Sequence, residues 1–400
     1  MRADDLFKGV PRGKVLVAMS GGGDSSVTAA LRKDAGFDPV GVFMRLGSPG
    51  DTLDELTTPD EPACDPKAIR LGKQGCCSVG DAADARLVSA ELGMPFYVVN
   101  FRREFGRIID YFVDEYAKGR TPTPCVRCND WLKFGRLPEY ADQIGADYVA
   151  TGHYARVDRS GASPVLRRGE DADKDQSYVL FGMRRARLGS LLLPVGDVPD
   201  KAGVRELAEH YGLPVADKPD SYEICFVPGN DYAKFVEGRR GELRDTPGDV
   251  LDTEGNVVGT HGGHHTLTVG QRRGIGVALG RRIYVVDKDP ERNTVTVGAR
   301  ADLATGGCLA REVNWLSDPP ALGEPLPCTV QYRAHGAPEP ATCTRAEDGL
   351  GEHLRIAFDE PVDAVAPGQA AVVYAGGDPS LVLGGGWVAS ASAPDRAARA

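Results

Sequence analysis

The chain has 400 residues, 42% hydrophobic and 26% charged, which is typical of a globular protein of two or three domains. Its 47 basic and 57 acidic residues give a formal net charge of −10, which argues against a wholly basic nucleic-acid-binding protein but leaves room for a local basic surface. The chain does not open with an apolar segment of signal-peptide length, and no run approaches about 18 apolar residues, so we expect a cytoplasmic protein without membrane contact.

Strands, turns and helices alternate through about residue 220, a pattern that predicts a doubly wound α/β domain. Nearly continuous apolar runs predict parallel strands covered on both faces. Apolar residues at helical spacing predict the helices between them, and Ser78 with Asp81 forms a capping-box pattern. The predicted strands are 14–19, 40–44, 96–99 and 147–151, and the predicted helices are 26–35, 78–92, 105–116 and 130–144.

After about residue 245, helical periodicity fades and short β-type runs separated by turn residues predict a small all-β barrel or sandwich. We therefore expect an α/β domain at 1–230, a small mixed central domain at 231–302, a β-barrel at 303–390 and a disordered tail at 391–400. The predicted β runs are 266–269, 283–286, 294–297, 308–316, 328–332, 354–358, 370–374 and 381–388.

A glycine-rich turn at 20–25, with the sequence SGGGDS, lies between the first predicted strand and helix. Its glycines let backbone N–H groups converge on an anion, and the helix N-terminus adds partial positive charge. Ser20 and Ser25 offer hydroxyls to phosphate, and Asp24 offers a carboxylate to Mg²⁺. The turn lacks the Gly-Lys-Ser/Thr ending of a Walker A motif. We predict a nucleotide phosphate loop of another type, with a tight turn capped by serine as the alternative.

Three of the nine cysteines lie in segments suited to thiol chemistry. Cys125 and Cys128 are three residues apart in TPTPCVRCN at 121–129, where two prolines predict a stiff extended loop. The neighbouring cations, which should favour thiolate over thiol, are Arg120, Arg127 and Lys133. Cys225 follows in DSYEICFVP at 220–228. The alternatives are a zinc half-site for the pair and a buried apolar role for Cys225.

The other six cysteines fall into two groups. Those that alternate with apolar residues in β runs are predicted to be core residues: Cys308, Cys328 and Cys343. Those in or just after the turn-rich segment at 47–75 are expected to be structural or incidental: Cys64, Cys76 and Cys77.

Six motifs resemble, in the same order, those of the bacterial tRNA-specific 2-thiouridylase family within the PP-loop ATP pyrophosphatase superfamily. They are SGGGDS at 20–25, TPTPCVRCNDWLKFG at 121–135, TGHY at 151–154, KDQS at 174–177, DSYEICFVP at 220–228 and TVGQRRGIG at 268–276. The resemblance runs from about residue 13 to about residue 388. It implies a PP-loop ATP-binding catalytic domain (adenine nucleotide alpha hydrolase-like), a small central domain and a C-terminal β-barrel.

The resemblance also implies a reaction. ATP adenylates O2 of the wobble uridine in tRNA and releases pyrophosphate, and a persulfide sulfur then replaces that oxygen, which gives 2-thiouridine and AMP. The family's roles fall on Cys225 as the persulfide carrier and on Cys128 as the second thiol. Cys128 acts either as an acid/base or as a nucleophile that attacks the persulfide and ends in a Cys128–Cys225 disulfide.

By the same resemblance, two groups of residues meet the substrates. The ATP-binding residues are Ala18, Met19, Ser20, Gly21, Gly22, Gly23, Asp24, Ser25, Met44 and Gly152. The tRNA-binding residues are Thr123, Pro124, Cys125, His153, Lys174, Asp175, Gln176, Gln331, Tyr332 and Gln369. The implied cofactors and partners are ATP, Mg²⁺ near Asp24, the anticodon arm of tRNA, and a sulfur donor such as a cysteine desulfurase or a sulfur relay protein.

Two positions depart from the family pattern. Many relatives have aspartate at the position of Cys125, and the family usually has arginine at the position of Gln331. The thiols of Cys125, Cys128 and Cys225 could therefore ligate a [4Fe–4S] cluster with one iron left open. Within 101–136, eight basic residues stand against five acidic ones, and this local charge of +3 predicts a basic tRNA-binding cleft on an acidic protein.

Two other functions stay open on the sequence alone. A PP-loop synthetase such as NAD or GMP synthetase would need the phosphate loop but neither the paired thiols nor a β-barrel. A non-enzymatic metal or redox module built on the CxxC motif would leave the SGGGDS loop without a use.

Overall fold

The computed structural model describes residues 3–47, 79–216, 218 and 224–392. Several predictions fall outside the described residues: the capping residue Ser78, the cysteines Cys64, Cys76 and Cys77, and residues 220–223 of the Cys225 motif. Among the described helices, none combines the length and the apolar character needed to cross a membrane.

The N-terminal region is built on a parallel sheet. The strands of this region are β1 (Lys14–Met19), β2 (Asp38–Arg45), β3 (Phe96–Asn100), β4 (Tyr148–Ala150), β5 (Ala155–Asp158), β6 (Val165–Arg168) and β7 (Leu191–Leu192). Five of them pair in the order β3-β2-β1-β4-β7, all in parallel. Leu16 of the central strand β1 lies between Val40 and Val149. Each of the four strands predicted in this region is present.

Helices cover both faces of this sheet. They are α1 (Ala3–Leu6), α2 (Gly23–Asp34), α3 (Val79–Glu91), α4 (Arg102–Ala117), α5 (Pro124–Arg127), α6 (Leu137–Gln143), α7 (Lys201–His210) and α8 (Tyr232–Arg239). Because successive strand residues point to opposite faces, β1 feeds two cores. Val15, Val17 and Met19 pack with α2, α3 and α7, whereas Leu16 and Ala18 pack with α4, α6 and α8. This arrangement confirms the doubly wound α/β fold.

The CxxC segment is helical, so the prediction of an extended loop at 121–129 was wrong. α5 begins at Pro124, and a π-helical segment, Cys128–Arg136, continues it into α6. Proline is well suited to the first position of a helix because its missing N–H has no intrahelical partner there. The restriction that Pro124 imposes on the preceding residue falls on Thr123, which is non-helical. Both cysteines therefore lie in the first turns of one long helix.

Strands β5 and β6 form a hairpin that the sequence did not reveal. The hairpin joins the C-terminal sheet, because Arg167 of β6 pairs with Leu381. The N-terminal region thus extends the sheet of the C-terminal domain. Short 3-10 helices complete the connections at Ser177–Leu180, Arg185–Ser190, Pro194–Asp197, Pro228–Asn230, Gly241–Leu243, His264–Thr266 and Arg300–Leu303.

The central region contains a small sheet. Its strands are β8 (Gly248–Leu251), β9 (Val257–His261), β10 (Tyr284–Asp289) and β11 (Thr294–Gly298), in the order β10-β11-β8-β9. The predicted strand at 266–269 is absent. Residues there form a turn in which the backbone N–H of Thr268 donates to the Gln271 side chain (2.9 Å). The short, glycine-containing strands β8 and β9 escaped prediction because they lack an apolar run.

The C-terminal domain is a closed antiparallel barrel. Its strands are β12 (Ala304–Trp315), β13 (Pro325–Gln331), β14 (Glu339–Asp348), β15 (Gly351–Asp363), β16 (Ala370–Ala375) and β17 (Asp378–Ser392). Pairing of β12 with both β15 and β17 closes it. The predicted core cysteines are confirmed, since all three are buried: Cys308, Cys328 and Cys343. β17 continues to Ser392, so residues 391 and 392 of the predicted disordered tail belong to a strand, and 393–400 lie outside the described residues.

Candidate active site

The SGGGDS turn is a compact loop between β1 and α2. Gly21 has a φ of +73°, and a Cβ at this position would overlap the Asp81 carbonyl, so only glycine fits. The Ser25 hydroxyl accepts from the Ser20 backbone N–H (3.1 Å) and donates to the Gly22 carbonyl (3.1 Å). α2 begins at Gly23, three residues before its predicted start, which places its unpaired N–H groups at the loop. The loop thus has the geometry of an anion site.

The neighbouring predicted ATP-binding residues also lie at this edge of the sheet. Ala18 and Met19 end β1, and Met44 lies near the end of the adjacent strand β2. Gly152 follows β4, and a Cβ there would lie 2.7 Å from the backbone nitrogen of Ser25. Ligands of open α/β sheets bind beyond the carboxyl ends of the strands, and these residues are gathered there.

Asp24 is held by two residues that were not among the predicted site residues. Its Oδ1 accepts from Lys201 Nζ (2.6 Å) and from the Tyr154 hydroxyl (2.7 Å). Its side chain is partly exposed, so a carboxylate ligand for Mg²⁺ is available once Lys201 moves away. Tyr154 belongs to the TGHY motif, but Lys201, at the first position of α7, lies in no motif that could have revealed it.

Lys218 fastens the phosphate loop to the start of α3. Its ammonium donates to the Gly21 carbonyl (2.9 Å), to Asp81 (2.6 Å) and to Asp84 (2.7 Å). Partial burial opposes its charge, but the hydrogen bonds to the two aspartates outweigh burial and raise the pKa of Lys218. This ion-pair group therefore links the nucleotide loop to the start of α3.

His153 is neutral and points at the CxxC helix. Its Nδ1 lies 2.7 Å from the Thr151 hydroxyl, and its Nε2 lies 3.5 Å from Lys133 Nζ. Burial, and secondarily the charge of Lys133, set the pKa of His153 well below its usual value. A neutral imidazole at this position can form hydrogen bonds with a nucleobase, but it adds no charge to the site.

The thiols of Cys128 and Cys225 come from distant segments to one hydrophobic cluster. Both are half-buried and pack against the cluster that contains Ala18, the residue two before the phosphate loop. Phe226 anchors the second segment, with its ring 5.6 Å from that of Phe105. Cys125 is exposed. The fold therefore brings the two predicted catalytic cysteines to one face of the sheet, in a cluster that reaches the end of β1, the strand that precedes the nucleotide loop.

The described residues give no indication of an iron–sulfur site. Within the described ranges, no group of three or more histidines, cysteines or acids is placed to hold a metal ion. The [4Fe–4S] prediction therefore receives no support, and we derive no step through a cluster.

Two of the three cations expected near the thiols, Arg120 and Arg127, are paired with carboxylates, whereas the preference of the thiols for the thiolate form stays a prediction. Arg120 pairs with Glu115 (3.4 Å), and Arg127 donates to Glu312 (2.7 Å) on the barrel. Other basic residues of 101–136 are paired in the same way, including Lys118 with Glu115 and Arg136 with Glu139. The local excess of +3 is therefore partly neutralised by these pairs.

Many of the predicted tRNA-binding residues lie inside the protein. The Asp175 carboxylate accepts from Arg168 Nε (2.8 Å) and from the Ser177 hydroxyl (2.8 Å). Tyr332 is buried, and its hydroxyl donates to the Asp363 carbonyl (3.3 Å). Thr123 and Pro124 are also buried. These side chains are buried and pack beneath the surface of the site. Cys125 and Gln176, in contrast, are exposed, and Lys174 is half-buried.

Gln369 and Gln176 hold other parts of the site in place. Gln369 donates through Nε2 to the Thr121 carbonyl (2.8 Å), at the start of the CxxC motif. The Gln176 side chain accepts from the Tyr154 backbone N–H (3.1 Å), next to His153. The two glutamines therefore align the segments that carry Cys125 and His153.

Gln331, where the family usually has arginine, is enclosed by the barrel. It is 4% exposed, its Oε1 accepts from the Tyr374 hydroxyl (3.0 Å), and its Nε2 donates to the carbonyls of Arg333 and Ala334 (3.1 Å each). Tyr374 in turn lies 3.1 Å from the Ser177 hydroxyl. As described, Gln331 cannot reach a tRNA phosphate.

Replacing Gln331 with arginine is expected to destabilise the protein, although it restores the family's usual residue. The substitution buries a guanidinium without a carboxylate and removes the acceptor of Tyr374, which together cost about 3–5 kcal/mol. Thermal unfolding of Gln331→Arg against the parent measures this. Unchanged stability together with tighter tRNA binding would show instead that position 331 turns outward.

Comparisons with known proteins agree along the whole chain. Residues 13–229 match the model of the tRNA methyl transferase HUP domain, 234–299 that of the tRNA methyl transferase PRC-barrel domain, and 305–388 that of the aminomethyltransferase beta-barrel domain. These matches, with the parallel sheet and the closed barrel, confirm the predicted fold class.

Curated relatives extend over nearly the full length of both chains. The tRNA-specific 2-thiouridylase MnmA of Rhodopirellula baltica is 44% identical over 391 residues, covering 94% of this chain and 96% of the relative. The enzymes of the same name from Carboxydothermus hydrogenoformans and Geobacter metallireducens are also 44% identical, each covering 95% of this chain and 98% of the relative. Identity at this level over whole chains shows that the protein belongs to the tRNA-specific 2-thiouridylase family.

Proposed function

We propose that this protein is a cytoplasmic ATP-dependent tRNA-uridine 2-sulfurtransferase, which adenylates O2 of the wobble uridine and then replaces that oxygen with a persulfide sulfur. One observation carries the proposal. Cys128 and Cys225, from distant segments, pack against a single cluster that includes Ala18, two residues before the phosphate loop. A synthetase that only activates a carbonyl has no need of two such thiols, and a CxxC module has no need of the loop.

The first step uses the loop and its neighbours. The helix N-terminus and the glycine-rich turn bind the polyphosphate, and Asp24 takes a ligand position on Mg²⁺ as Lys201 turns to the phosphates. The magnesium ion supplies charge neutralisation on the transferring nucleotide. O2 of the uridine attacks the α-phosphorus, the bond to the β-phosphate oxygen breaks, and pyrophosphate leaves.

The second step uses the thiols. Cys225 carries the outer sulfur as a persulfide, which a cysteine desulfurase or a sulfur relay protein supplies. When Cys128 attacks the inner sulfur of Cys225, the S–S bond breaks, hydrosulfide leaves, and a Cys128–Cys225 disulfide forms. Hydrosulfide then attacks C2 and AMP departs with the original oxygen. In the acid/base alternative the outer sulfur of the persulfide attacks C2 itself and AMP departs. A thiol then attacks the Cys225 sulfur of the resulting S–S bond, so that this bond breaks and 2-thiouridine leaves. In either route a thiol reductant must restore Cys225.

The substrate contacts are part of the same proposal. We propose that the target base contacts the exposed Cys125, at the start of α5, and the neutral His153. Lys174 and Gln176 border this place, while Asp175, Gln331, Tyr332 and Gln369 support it from inside. The partner is the anticodon arm of a tRNA with a wobble uridine.

The direct test incubates the protein with ATP, Mg²⁺, a persulfide donor and a tRNA that carries a wobble uridine. The tRNA is then digested to nucleosides, and the nucleotide products are separated. The proposal expects 2-thiouridine together with AMP and pyrophosphate. Release of ADP, or pyrophosphate formation without 2-thiouridine, would contradict it.

Binding of tRNA is expected to weaken strongly with salt although the protein is acidic overall. If about three to four phosphates are contacted, the affinity falls about 50-fold between roughly 50 and 200 mM monovalent salt. Titration of fluorescent tRNA at several salt concentrations measures the slope. An affinity that does not depend on salt would contradict a basic binding cleft.

A further inference from the structure

The two residues between the cysteines of the CxxC motif are buried against the C-terminal barrel. Val126 belongs to a cluster that contains Val372 and Trp387 of the barrel. The Arg127 guanidinium carbon lies 3.9 Å from the centre of the Trp387 ring. The helix therefore rests on the barrel through its middle residues, while Cys125 is exposed and Cys128 packs against the core of the α/β domain.

The Arg127 side chain is buried beside aromatic rings and lies close to two acidic side chains. It is 7% exposed, its Nη2 donates to Glu312 (2.7 Å), and the rings of Tyr111 and Trp131 lie about 5 Å from its guanidinium carbon. Asp130 lies 3.9 Å away, but burial raises the pKa of Asp130 to about 6, with the charge of Arg127 acting against the rise. At 2.7 Å, against 3.9 Å for Asp130, the carboxylate of Glu312 is the nearer counter-charge of the buried guanidinium, although the Glu312 side chain is itself 64% exposed.

The backbone at Glu312 is bent towards this contact. Glu312 has a φ of +50°, uncommon for a residue other than glycine, at the point where the pairing of β12 with β17 shifts. Such a conformation costs about 1–3 kcal/mol and persists where surrounding structure enforces it. Here it places the Glu312 carboxylate of β12 against Arg127, between the two cysteines of the CxxC motif.

The barrel also contacts the same segment at a second point, through hydrogen bonds to Thr121. The Thr121 N–H donates to the Pro367 carbonyl (2.8 Å), and its carbonyl accepts from Gln369 (2.8 Å). Gly368, with a φ of +92°, allows this approach, because a Cβ there would lie 3.0 Å from Thr121. The CxxC turn is thus fixed before its first cysteine and between its two cysteines.

We propose that Arg127 is a positioning residue: through Glu312 and Trp387 it fixes the CxxC helix on the barrel and so sets the position of Cys128 relative to Cys225. The inference rests on the proposed roles of these two cysteines. It gives the barrel a part in the chemical step, in addition to any contact with tRNA. Barrel substitutions remote from the substrates then alter sulfur transfer.

The test compares Arg127→Met and Glu312→Gln with a matched control, Asp348→Asn. Asp348 pairs with Arg311, the residue next to Glu312 on β12, but this pair does not touch the CxxC helix. Two rates are measured: alkylation of Cys128 and Cys125 by iodoacetamide without ATP or tRNA, read by peptide mass spectrometry, and single-turnover 2-thiouridine formation by the persulfide-loaded protein. ATP affinity and melting temperature are recorded alongside.

Both clamp variants are expected to change the alkylation rate of Cys128 relative to Cys125 and to slow single-turnover thiolation by about tenfold or more, because small misplacements of reacting groups are costly. ATP affinity should be unchanged, and Asp348→Asn should resemble the parent. The double variant Arg127→Met/Glu312→Gln should be no slower than the slower single variant, because the two substitutions break the same contact.

Three results would overturn the proposal. One is an unchanged Cys128 rate and thiolation rate in a folded Arg127 variant, and another is a rate loss in the double variant that equals the product of the two single losses. The third is an equal effect of Asp348→Asn. If Arg127→Met does not fold, Glu312→Gln and Trp387→Phe supply the same readouts. Alkylation needs no substrate, so positioning is decided even if the parent protein makes no 2-thiouridine, a result that would refute the proposed function instead.

Discussion

Replacing Cys225 with serine is expected to lower 2-thiouridine formation by about 10³-fold or more, because the hydroxyl cannot carry a transferable sulfur. Cys225 is half-buried beside Phe226, and serine is close to cysteine in size, so the segment should keep its place. ATP binding should persist, since the phosphate loop is untouched. Quantification of nucleosides after tRNA digestion, together with a nucleotide-binding assay, measures both effects.

The matched control is Cys308→Ala, which removes a thiol buried in the barrel. It is expected to retain thiolation, with a stability loss of about 1 kcal/mol. Thiolation by Cys225→Ser at a rate near that of the parent would contradict a persulfide on this residue. Equal loss of activity in the Cys308 variant would show that general damage, and not lost sulfur chemistry, accounts for the result.

The second large effect is expected at Gly152, where alanine should raise the KM for ATP by about 100-fold. The new Cβ would lie 2.7 Å from the backbone nitrogen of Ser25 and from the carbonyl carbon of Asp24. Backbone atoms cannot yield as a flexible side chain can, so the start of α2 must shift, and with it the N–H groups that receive the phosphates. Pyrophosphate release as a function of ATP concentration measures the change.

Gly106→Ala provides the control for this prediction. Gly106 lies within α4 with open space around the position of a Cβ, so alanine should leave the KM unchanged and slightly stabilise the helix. An unaltered KM in Gly152→Ala would mean that the TGHY segment does not bear on the nucleotide loop.

The parallel sheet and its phosphate loop could be predicted because local sequence dictates them. β1 is apolar along its length, since its alternate residues enter two different cores. The glycines of the loop are visible in the sequence and indicate a tight turn. At Gly21 the backbone is left-handed, and a Cβ would overlap the Asp81 carbonyl. Local patterns of this kind can be recognised without knowledge of distant contacts.

What could not be predicted depends on contacts between distant segments. The CxxC segment looked like an extended loop because its prolines dominate the local pattern, but Pro124 begins a helix that the barrel holds. Arg127 looked like a cation beside the thiols, yet Glu312 and Trp387, far along the chain, draw it to the barrel. Lys201 reaches Asp24 only because α7 packs against α2.

The most direct test of the central claim follows two isotopes through one turnover. The protein is loaded with a heavy-sulfur persulfide and mixed with ATP and a tRNA whose wobble uridine carries heavy oxygen at O2. The account predicts heavy sulfur in 2-thiouridine and heavy oxygen in the phosphate of AMP, with none in pyrophosphate. AMP without the heavy oxygen would contradict adenylation at O2, and 2-thiouridine without the heavy sulfur would contradict transfer from the protein's persulfide.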